Sequence, residues 1–428
     1  MGIAAIINTN QAPLDQSLLR ALMESSPLAH VAVDGCAGLG SSPPGRRVET
    51  EVSRSRDGCV WAVMDGRLDA RDALLSALGQ KDVPLSYASD VTLIIAAYET
   101  WGTGFVSKLL GDFALCLWDS RRRRLICARD HFGVKPLYYA HVGGVLIVSS
   151  VLRWVRRHPA MSSRLCDEAI GDFLLFGVCA EPSQTSFASI SRVPPAHHFS
   201  YSLETDAVQV NRYWTLDVRE PVRYADPREY VEQFSHLLGV AVADRVRGGP
   251  VGVLMSGGLD SSSVTATAAR VLGPAARDRL RAFTFAYDTL MEDKERPFSS
   301  AIAATLGIPI TPLPVDRYEP FGRWDGDSQP PEPTLEALTA AMIDMLGLAS
   351  AHTDVVLTGD GGDSSLLPST LIDQAGYIPL TALAADVWRA YRARRAPLFG
   401  IRSWIARRRA ETAMIPGWLG ADLLAVFD

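Results

Sequence analysis

The stretch VGVLMSGGLDSSSV, Val251–Val264, decides the fold of the second half of the chain, because an apolar run passes directly into a glycine–serine loop. The run VGVLM lacks polar alternation, which is typical of a strand buried on both faces of a parallel sheet. A helix is predicted from about Ser261, and one face of it holds four apolar residues: Val264, Ala268, Val271 and Leu272. Ligands bind beyond the carboxyl ends of the strands in such sheets, so the loop is a candidate ligand site.

The composition of this loop suits a phosphate group. Gly257 and Gly258 let the backbone approach an anion closely. The free N–H groups and the dipole at the start of the predicted helix point toward the same place. Three hydroxyl groups can donate to phosphate oxygens, those of Ser256, Ser261 and Ser262. A serine–glycine turn without a ligand is the alternative, and the order of strand, loop and helix favours the phosphate site.

Asp260 is the exceptional member of the loop, because a carboxylate repels phosphate unless a magnesium ion bridges the two. The loop has no GK[ST] ending, so it is not the usual γ-phosphate loop. A cradle without that lysine suits a pyrophosphate that leaves after attack at the α-phosphate.

A second acidic loop, LTGDGGD at Leu357–Asp363, follows the apolar run DVVLT. Asp360 and Asp363 are expected to reach the same metal ion or an attacking amine. Alone, the motif is as typical of a turn or a calcium loop as of such a site. Its place after a second predicted strand favours a shared site with the first loop.

The pattern of apolar residues and turns differs between the two halves of the chain. Roughly the first 200 residues read as short strands joined by turns, with helical patterns at Asp69–Leu78 and Val91–Thr100, which predicts α+β layers. From about Pro227 strands alternate with helices, which predicts a doubly wound parallel sheet. The stretch RYADPRE is the expected linker.

Composition excludes several functional classes. The chain has 428 residues, 47% of them hydrophobic, and a net charge of -6, which gives no general reason to bind nucleic acid. No apolar run reaches the roughly 18 residues of a membrane span, and the start of the chain does not read as a signal peptide. The six cysteines form no CxxC pair and are predicted to be small core residues of a reduced, cytoplasmic protein.

Further motifs narrow the class: ARDHFGVKPLYY at Ala128–Tyr139, GDFALCLWD, RVPPAHHF and RYW. Together with SGGLDSS, and in the same order, they resemble the glutamine-dependent asparagine synthetase superfamily over nearly the whole chain. The resemblance implies an N-terminal glutaminase-type, Ntn-like sandwich over residues 1–215. It implies a C-terminal doubly wound α/β domain over residues 227–428, with a PP-loop like that of adenine nucleotide hydrolases. ATP and Mg²⁺ would then adenylate a carboxylate, and an amine would displace AMP.

The same resemblance assigns site residues. The nucleotide-binding residues are Leu254, Ser256, Gly257, Gly258, Leu259, Asp260, Ser261, Ser262, Phe285, Thr358 and Gly359. The catalytic residues are Asp260, Asp360 and Asp363, and the magnesium ligands are Asp260 and Asp363. Asp360 stands where asparagine synthetases have glutamate, so its role departs from the family pattern.

Two departures concern glutamine hydrolysis. Asparagine synthetases expose an N-terminal cysteine that attacks glutamine, whereas Gly2 occupies that position here. A hydrogen side chain cannot replace a thiolate nucleophile. The glutamine-pocket motif reads MDGRLD at Met64–Asp69, where relatives have an Asn-Gly-Glu pattern. We therefore expect no glutaminase activity and an amine from another source.

Two branches of the superfamily lack the cysteine: β-lactam synthetases and lasso peptide macrolactam synthetases. The stretches DKERPFSSAIAATLGIPI, PPEPT and VVLTGDGGDSSLLPS look most like the lasso branch, in which an Asp or Glu side chain is joined to the N-terminal amine of a peptide. That resemblance implies a precursor peptide as substrate, and a leader-binding protein and a leader peptidase as partners. A β-lactam or other small-molecule synthetase and an inactive partner-binding scaffold are the alternatives.

The C-terminal end departs from the family as well. Relatives usually continue well past this position, and no lysine follows Lys294. The arginine-rich stretch from Trp388 to Arg409 reads as a solvated helical face, or as a docking surface for an acidic precursor or a partner.

Overall fold

The structure is a computed structural model, and it describes residues 2–23, 29–42, 52–79, 89–216, 222–323, 330–362 and 380–392. The chain divides into two units. One comprises Met1–Ser235 and Pro320–Ala340, and the other comprises His236–Glu319 and the chain from Ala341. No helix within the described ranges is long and apolar enough to cross a membrane.

Antiparallel strands dominate the first unit. Along the chain they are β1 (Gly2–Asn8), β2 (His30–Asp34), β3 (Ala37–Ser42), β4 (Ser53–Arg54), β5 (Val60–Leu68), β6 (Gly111–Asp119), β7 (Arg124–Arg129), β8 (Tyr138–Val142), β9 (Val145–Ser149), β10 (Ser191–Arg192), β11 (His197–Ser202) and β12 (Ala207–Arg212). In the part of the chain that the structure describes, they form two sheets, in the orders β10-β8-β9-β1-β3-β2 and β12-β11-β7-β6-β5-β4.

The helices of this unit are α1 (Gln16–Leu22), α2 (Arg71–Leu78), α3 (Asp90–Trp101), α4 (Leu152–Arg156) and α5 (Asp167–Phe176). Alternation along β6 shows the layering, because successive side chains of a strand point to opposite faces. Cys116 joins the core between the two sheets, together with Ile3 of β1. Leu115 joins the core on the opposite face, where Ile94 of α3 packs. Helices therefore cover the outer faces of a two-sheet sandwich, as the sequence predicts.

The second unit is built on parallel strands. They are β13 (Val251–Leu254), β14 (Leu280–Ala286), β15 (Ile310–Pro314) and β16 (Val355–Leu357), in the spatial order β15-β14-β13-β16. The helices are α6 (Pro227–Arg245), α7 (Leu259–Leu272), α8 (Ala276–Arg279), α9 (Arg296–Leu306), α10 (Thr339–Ser350) and α11 (Leu380–Arg392). One face of the sheet packs against α7 and α9 through Ala268 and Ala303. The other packs against α10 through Met345 and Ala349, so the predicted doubly wound arrangement is confirmed.

Two details of the sequence prediction are wrong. Val271 is 38% exposed, whereas Ala268 and Leu272 are buried. Adjacent helical residues point about 100° apart, so Val271 lies beside the buried stripe that Thr265, Ala268 and Leu272 define. The helix also begins at Leu259 rather than near Ser261.

The cysteine prediction holds for half of the set. Cys36, Cys116 and Cys127 are buried, whereas Cys59, Cys166 and Cys179 are only partly so. The exceptions lie in turns or at the ends of elements, where the apolar neighbours in sequence do not enclose the thiol.

The segment Pro320–Ala340 belongs to the first unit although it interrupts the second one along the chain. Glu332 anchors it: its carboxylate lies 2.6 Å from the Arg192 guanidinium and accepts the backbone N–H of Ser186 at 3.1 Å. Burial raises the pKa of the neighbouring Tyr138, and Glu332 adds to that increase. The segment PPEPT, singled out in the sequence, therefore has a structural role as an attachment.

Candidate active site

The site lies at the carboxyl edge of the parallel sheet. Strand β13 has β14 on one side and β16 on the other, so the strand order reverses direction next to β13. A crevice forms at such a switch point outside the carboxyl ends of the strands, and ligands bind there. The loop after β13 and the loop after β16 both leave the sheet at this point, which is where the sequence places the two candidate loops.

The first loop requires glycine at its turn. Gly257 has φ +89°, and a Cβ there would lie 2.8 Å from the backbone nitrogen of Ser299 and 3.0 Å from the carbonyl oxygen of Glu295. The next residue, Gly258, is the N-cap of α7 and provides no side chain to cap the helix. The first turn of α7 therefore keeps backbone N–H donors for an anion, and the helix dipole adds to their attraction.

Serine hydroxyls surround this helix start. The Ser256 and Ser261 hydroxyl oxygens are 3.2 Å apart, and the Gly258 N–H donates to Ser256 Oγ at 3.2 Å. Ser262 Oγ is buried and has no hydrogen-bond partner among the residues that the structure describes. A buried polar atom without a hydrogen-bond partner destabilises the folded state. We therefore expect the Ser262 hydroxyl to bond to a group that is not among the described residues.

The second loop packs directly onto the first. A Cβ at Gly359 would lie 2.6 Å from the backbone nitrogen of Ser261. A Cβ at Gly362 would overlap the carboxylate of Asp260. These two glycines of LTGDGGD are therefore needed for close approach, which is a more specific reason for the motif than turn formation.

A cavity of about 540 Å³ opens between the two loops. Its volume lies within the roughly 300–1,000 Å³ of small-molecule sites. Ten of the predicted site residues line it: Leu254, Ser256, Gly258, Leu259, Asp260, Ser261, Phe285, Thr358, Gly359 and Asp360. Gly257 and Ser262 do not line the cavity. Gly257 shapes the turn of the first loop, and Ser262 lies within the first turn of α7.

Sequence reasoning missed part of the wall. Met255, Phe283, Thr284, Glu295, Met342 and Met345 also line the cavity. Alternation along β14 could have found Phe283, because it shares a face with Phe285. The two methionines come from α10, whose sequence has no motif that would mark them as site residues.

The loop that carries Glu295 is braced from outside the cavity. The Asp316 carboxylate accepts the backbone N–H groups of Asp288, Thr289 and Leu290 at 2.8, 2.7 and 2.6 Å. These hydrogen bonds hold the pKa of Asp316 well below its usual range. Three donors on one carboxylate fix the path of the chain between β14 and α9, and with it the position of Glu295.

The predicted magnesium ligand Asp363 lies outside the described residues. Within those residues there is no group of three or more His, Cys, Asp or Glu side chains that could hold a metal ion. Asp260 and Asp360 both face the cavity.

The first unit shows how Gly2 is accommodated. A Cβ at Gly2 would lie 2.6 Å from Val151 Cγ2 and 2.7 Å from Trp154 Cη2. The space that a side chain at this position needs is therefore occupied by two bulky apolar groups.

The altered motif at Met64–Asp69 also has a distinct environment. Asp65 is 4% exposed, and its carboxylate lies 2.9 Å from Lys135 Nζ and accepts the Ser150 hydroxyl at 2.9 Å. The Ser150 hydroxyl in turn accepts the backbone N–H of Ile3 at 3.1 Å, one residue after Gly2. Within the altered motif, the buried carboxylate of Asp65 is thus paired with the partly exposed Lys135.

Two known families match different parts of the chain. The glutamine amidotransferase domain matches residues 53–214, and the asparagine synthase domain matches residues 233–423. Asparagine synthetase [glutamine-hydrolyzing] 3 of Bacillus subtilis is 28% identical over 229 residues, covering 52% of this chain and 37% of that protein.

Two further relatives extend the match. Asparagine synthetase [glutamine-hydrolyzing] 2 of Bacillus subtilis is 26% identical over 264 residues, covering 60% of this chain and 34% of that protein. Amidase chyE of Penicillium rubens is 28% identical over 340 residues, covering 72% of this chain and 47% of that protein. The chain thus matches between about a third and about half of the length of these relatives.

Proposed function

Because this chain belongs to the asparagine synthetase superfamily, we propose that it is an ATP-dependent ligase that joins a carboxylate to an amine. The carboxylate attacks the α-phosphorus of ATP, pyrophosphate leaves, and an amine then displaces AMP from the acyl adenylate. The products are an amide, AMP and pyrophosphate.

One observation carries the proposal. The two glycine-rich loops leave neighbouring parallel strands, touch each other through Gly359 and Gly362, and enclose one cavity of about 540 Å³. An anion-binding helix start and two aspartates, Asp260 and Asp360, face the same space. A turn without a ligand does not need glycines that bring two loops into such close contact.

Each group of residues has a task in this reaction. The N–H groups at the start of α7, with Ser256 and Ser261, receive the departing pyrophosphate and stabilise the negative charge that develops on it. The apolar wall, which includes Phe285, Met342 and Met345, excludes water and accommodates the base of the nucleotide. Catalysis under this proposal is mainly positioning and charge stabilisation.

Magnesium would be held by Asp260 and Asp363, whose carboxylate oxygens are the ligands that this ion prefers. Asp260 meets the test of position, because it lines the cavity and lies against Gly362, the residue before Asp363. When bound, the ion neutralises phosphate charge beside Asp260.

We propose further that the enzyme does not hydrolyse glutamine. The overlap that a side chain at position 2 would meet with Val151 and Trp154 supports this, as does the ion pair of Asp65 and Lys135. The amine therefore comes from the substrate itself or from a second substrate.

The finer proposal is macrolactam closure of a lasso peptide. An Asp or Glu side chain of a precursor peptide is activated, and the N-terminal amine of the same peptide attacks it. Support comes from the sequence stretches that resemble the lasso branch and from the absence of a cysteine at position 2. Holding a prefolded peptide would supply the effective concentration that closing a large ring requires.

The first experiment measures pyrophosphate release from ATP and magnesium in the presence of candidate precursor peptides. We expect release together with a peptide product that is lighter by one water. Asp260→Asn abolishes release, whereas Asp354→Asn, an exposed aspartate beside β16, leaves it within about twofold.

The outcomes separate the alternatives. Release with a small β-amino acid but with no peptide supports the β-lactam-type reaction in place of the lasso reaction. Wild-type protein that neither releases pyrophosphate nor exchanges it into ATP contradicts the ligase proposal and supports the scaffold alternative. Release that persists in Asp260→Asn contradicts the assignment of the loop.

A further inference from the structure

A second cavity, of about 200 Å³, lies at the opposite edge of the parallel sheet from the candidate active site. Its lining includes Val251 and Leu280, the first residues of β13 and β14. Pro309 and Thr353, which precede β15 and β16, complete the backbone part of the wall. The cavity therefore faces the amino ends of the strands whose carboxyl ends carry the two loops.

The charge of this cavity is strongly one-sided. Three arginines line it, Arg277, Arg279 and Arg281, against one aspartate, Asp278. His352 also lines it and lies beside Phe283, with the two ring centroids 6.2 Å apart. Three arginines in the wall of one concave surface raise the local positive potential and attract small anions.

Arg279 is held in place by neutral partners. Its Nε donates to the carbonyl oxygen of Gly249 at 3.0 Å, and its Nη2 donates to those of Val246 at 2.6 Å and of Gly248. Carbonyl groups fix the orientation of the side chain but carry no formal charge to balance it. The guanidinium is thus positioned in advance and keeps its full positive charge.

The other two arginines have no such tether. Within the described part of the chain, neither Arg277 nor Arg281 makes an ion pair or a hydrogen bond. Both residues line the cavity. Two untethered guanidinium groups beside a fixed one form an arrangement in which a tetrahedral anion could be gripped from several sides.

We propose that this cavity is a second anion site, which binds a small phosphate-type oxyanion at the amino edge of the sheet. Guanidinium groups present paired N–H donors that match phosphate oxygens. The volume is below the roughly 300–1,000 Å³ of sites for larger organic ligands, so a phosphate or pyrophosphate fits and a whole nucleotide does not. The proposal is independent of the reaction at the other edge of the sheet.

Binding at this place has a consequence for the fold. The three arginines lie at the amino end of β14 and in the helix that leads into it, so their mutual repulsion acts on the start of that strand. An anion between them removes that repulsion and stabilises the folded state by mass action. Binding of an anion in this cavity should therefore raise the melting temperature of the protein.

The experiment uses the full chain without nucleotide and titrates inorganic phosphate, pyrophosphate and AMP by calorimetry and by thermal unfolding. The pocket variant is Arg277→Ala with Arg281→Ala, and the matched control is Arg317→Ala, an exposed arginine of the same unit. A third variant, Ser256→Ala with Ser261→Ala, removes hydroxyls of the first loop.

We expect saturable binding of phosphate or pyrophosphate that the pocket variant weakens by about tenfold or more, as the loss of charge-assisted hydrogen bonds predicts. The Arg317→Ala control and the loop variant should keep this binding. If the pocket substitutions, made in the loop variant, leave phosphate binding as tight as in the loop variant alone, or if the loop variant removes all binding, the proposal is wrong.

Two controls complete the experiment. Circular dichroism and the melting temperature in anion-free buffer must show that the pocket variant is folded; if it is not, Arg281→Lys replaces it, with the same expected direction of change. Binding that AMP also shows, with equal sensitivity to the pocket variant, contradicts the size limit and the proposal with it.

Discussion

Restoring the missing cysteine should damage the protein rather than return glutaminase activity. In a Gly2→Cys variant the new Cβ would lie 2.6 Å from Val151 Cγ2 and 2.7 Å from Trp154 Cη2. Carbon atoms in favourable contact are about 3.5–4.0 Å apart, so each contact is short by roughly 1 Å. The sulfur extends further into the same space.

The magnitude follows from overpacking. Gly2 begins a central strand, and Trp154 is 6% exposed, so neither can move out into solvent without disturbing the core. Such substitutions cost about 1–3 kcal/mol of unfolding free energy. For a domain of this size we expect the melting temperature to fall by roughly 2–12 °C.

The assay has two parts: thermal unfolding of the first unit, and glutamate release from glutamine by protein whose chain begins at residue 2. The control is Gly104→Cys, because a Cβ at Gly104 meets no atom within 4 Å. It adds the same thiol without overlap, so its unfolding free energy should stay within about 0.5 kcal/mol of wild type. An unchanged melting temperature of Gly2→Cys would refute the packing argument, and glutamate release by that variant would refute the proposed loss of the reaction.

Three further predictions test other parts of the structure. Gly362→Ala should reduce pyrophosphate release by about tenfold or more, because its Cβ would overlap the carboxylate of Asp260; the control Gly347→Ala, whose Cβ is unobstructed on an exposed turn of α10, should keep normal release. Ser262→Ala should not lower the melting temperature of the nucleotide-free protein, since it removes a buried hydroxyl without a described partner, but it should weaken pyrophosphate release; a clear loss of stability would show that this hydroxyl is already bonded. Tyr98→Phe should make the stability of the first unit depend less on pH in the acid range. Burial acts to raise the pKa of Asp119, but hydrogen bonds from Tyr98 and Arg122 outweigh it and lower the pKa, so the stability from this carboxylate is present above the unfolded-state pKa of about 3.9 and is lost as the pH falls through the lower folded-state pKa. Removing the Tyr98 hydroxyl narrows the gap between the two pKa values, so the variant should be less stable than wild type at neutral pH but should lose less unfolding free energy between about pH 5 and pH 2. Equal losses in the two proteins would contradict this.

The fold class and the position of the candidate site could be predicted from the sequence because both depend on local patterns. An uninterrupted apolar run before SGGLDSS indicates a parallel strand and places the loop at its carboxyl end. Hydroxyls, glycines and an aspartate then limit the chemistry. The same reasoning applies to the second loop, which also follows an apolar strand.

What could not be predicted depends on contacts between distant parts of the chain. The methionines of α10 carry no motif, and only the packing of α10 on the sheet brings Met342 and Met345 into the wall. The need for Gly362 arises from Asp260, far away in sequence. The wrong prediction that Val271 belongs to the buried face of α7 has the same origin. The helical period shows which face is buried, but the packed neighbours decide how far around the helix the burial extends.

The anchoring of Pro320–Ala340 through Glu332 and Arg192 has a consequence for whether the two parts of the chain can be separated. The chain does not complete one unit before it begins the next, because Pro320–Ala340 returns to the first unit. A cut at the expected linker would therefore separate this segment from the residues that it packs against. Residues 236–428 expressed alone would retain Glu332 but lose its ion-pair partner, Arg192. The first unit is therefore completed by residues from the later part of the chain, so the two units do not correspond to two consecutive pieces of sequence.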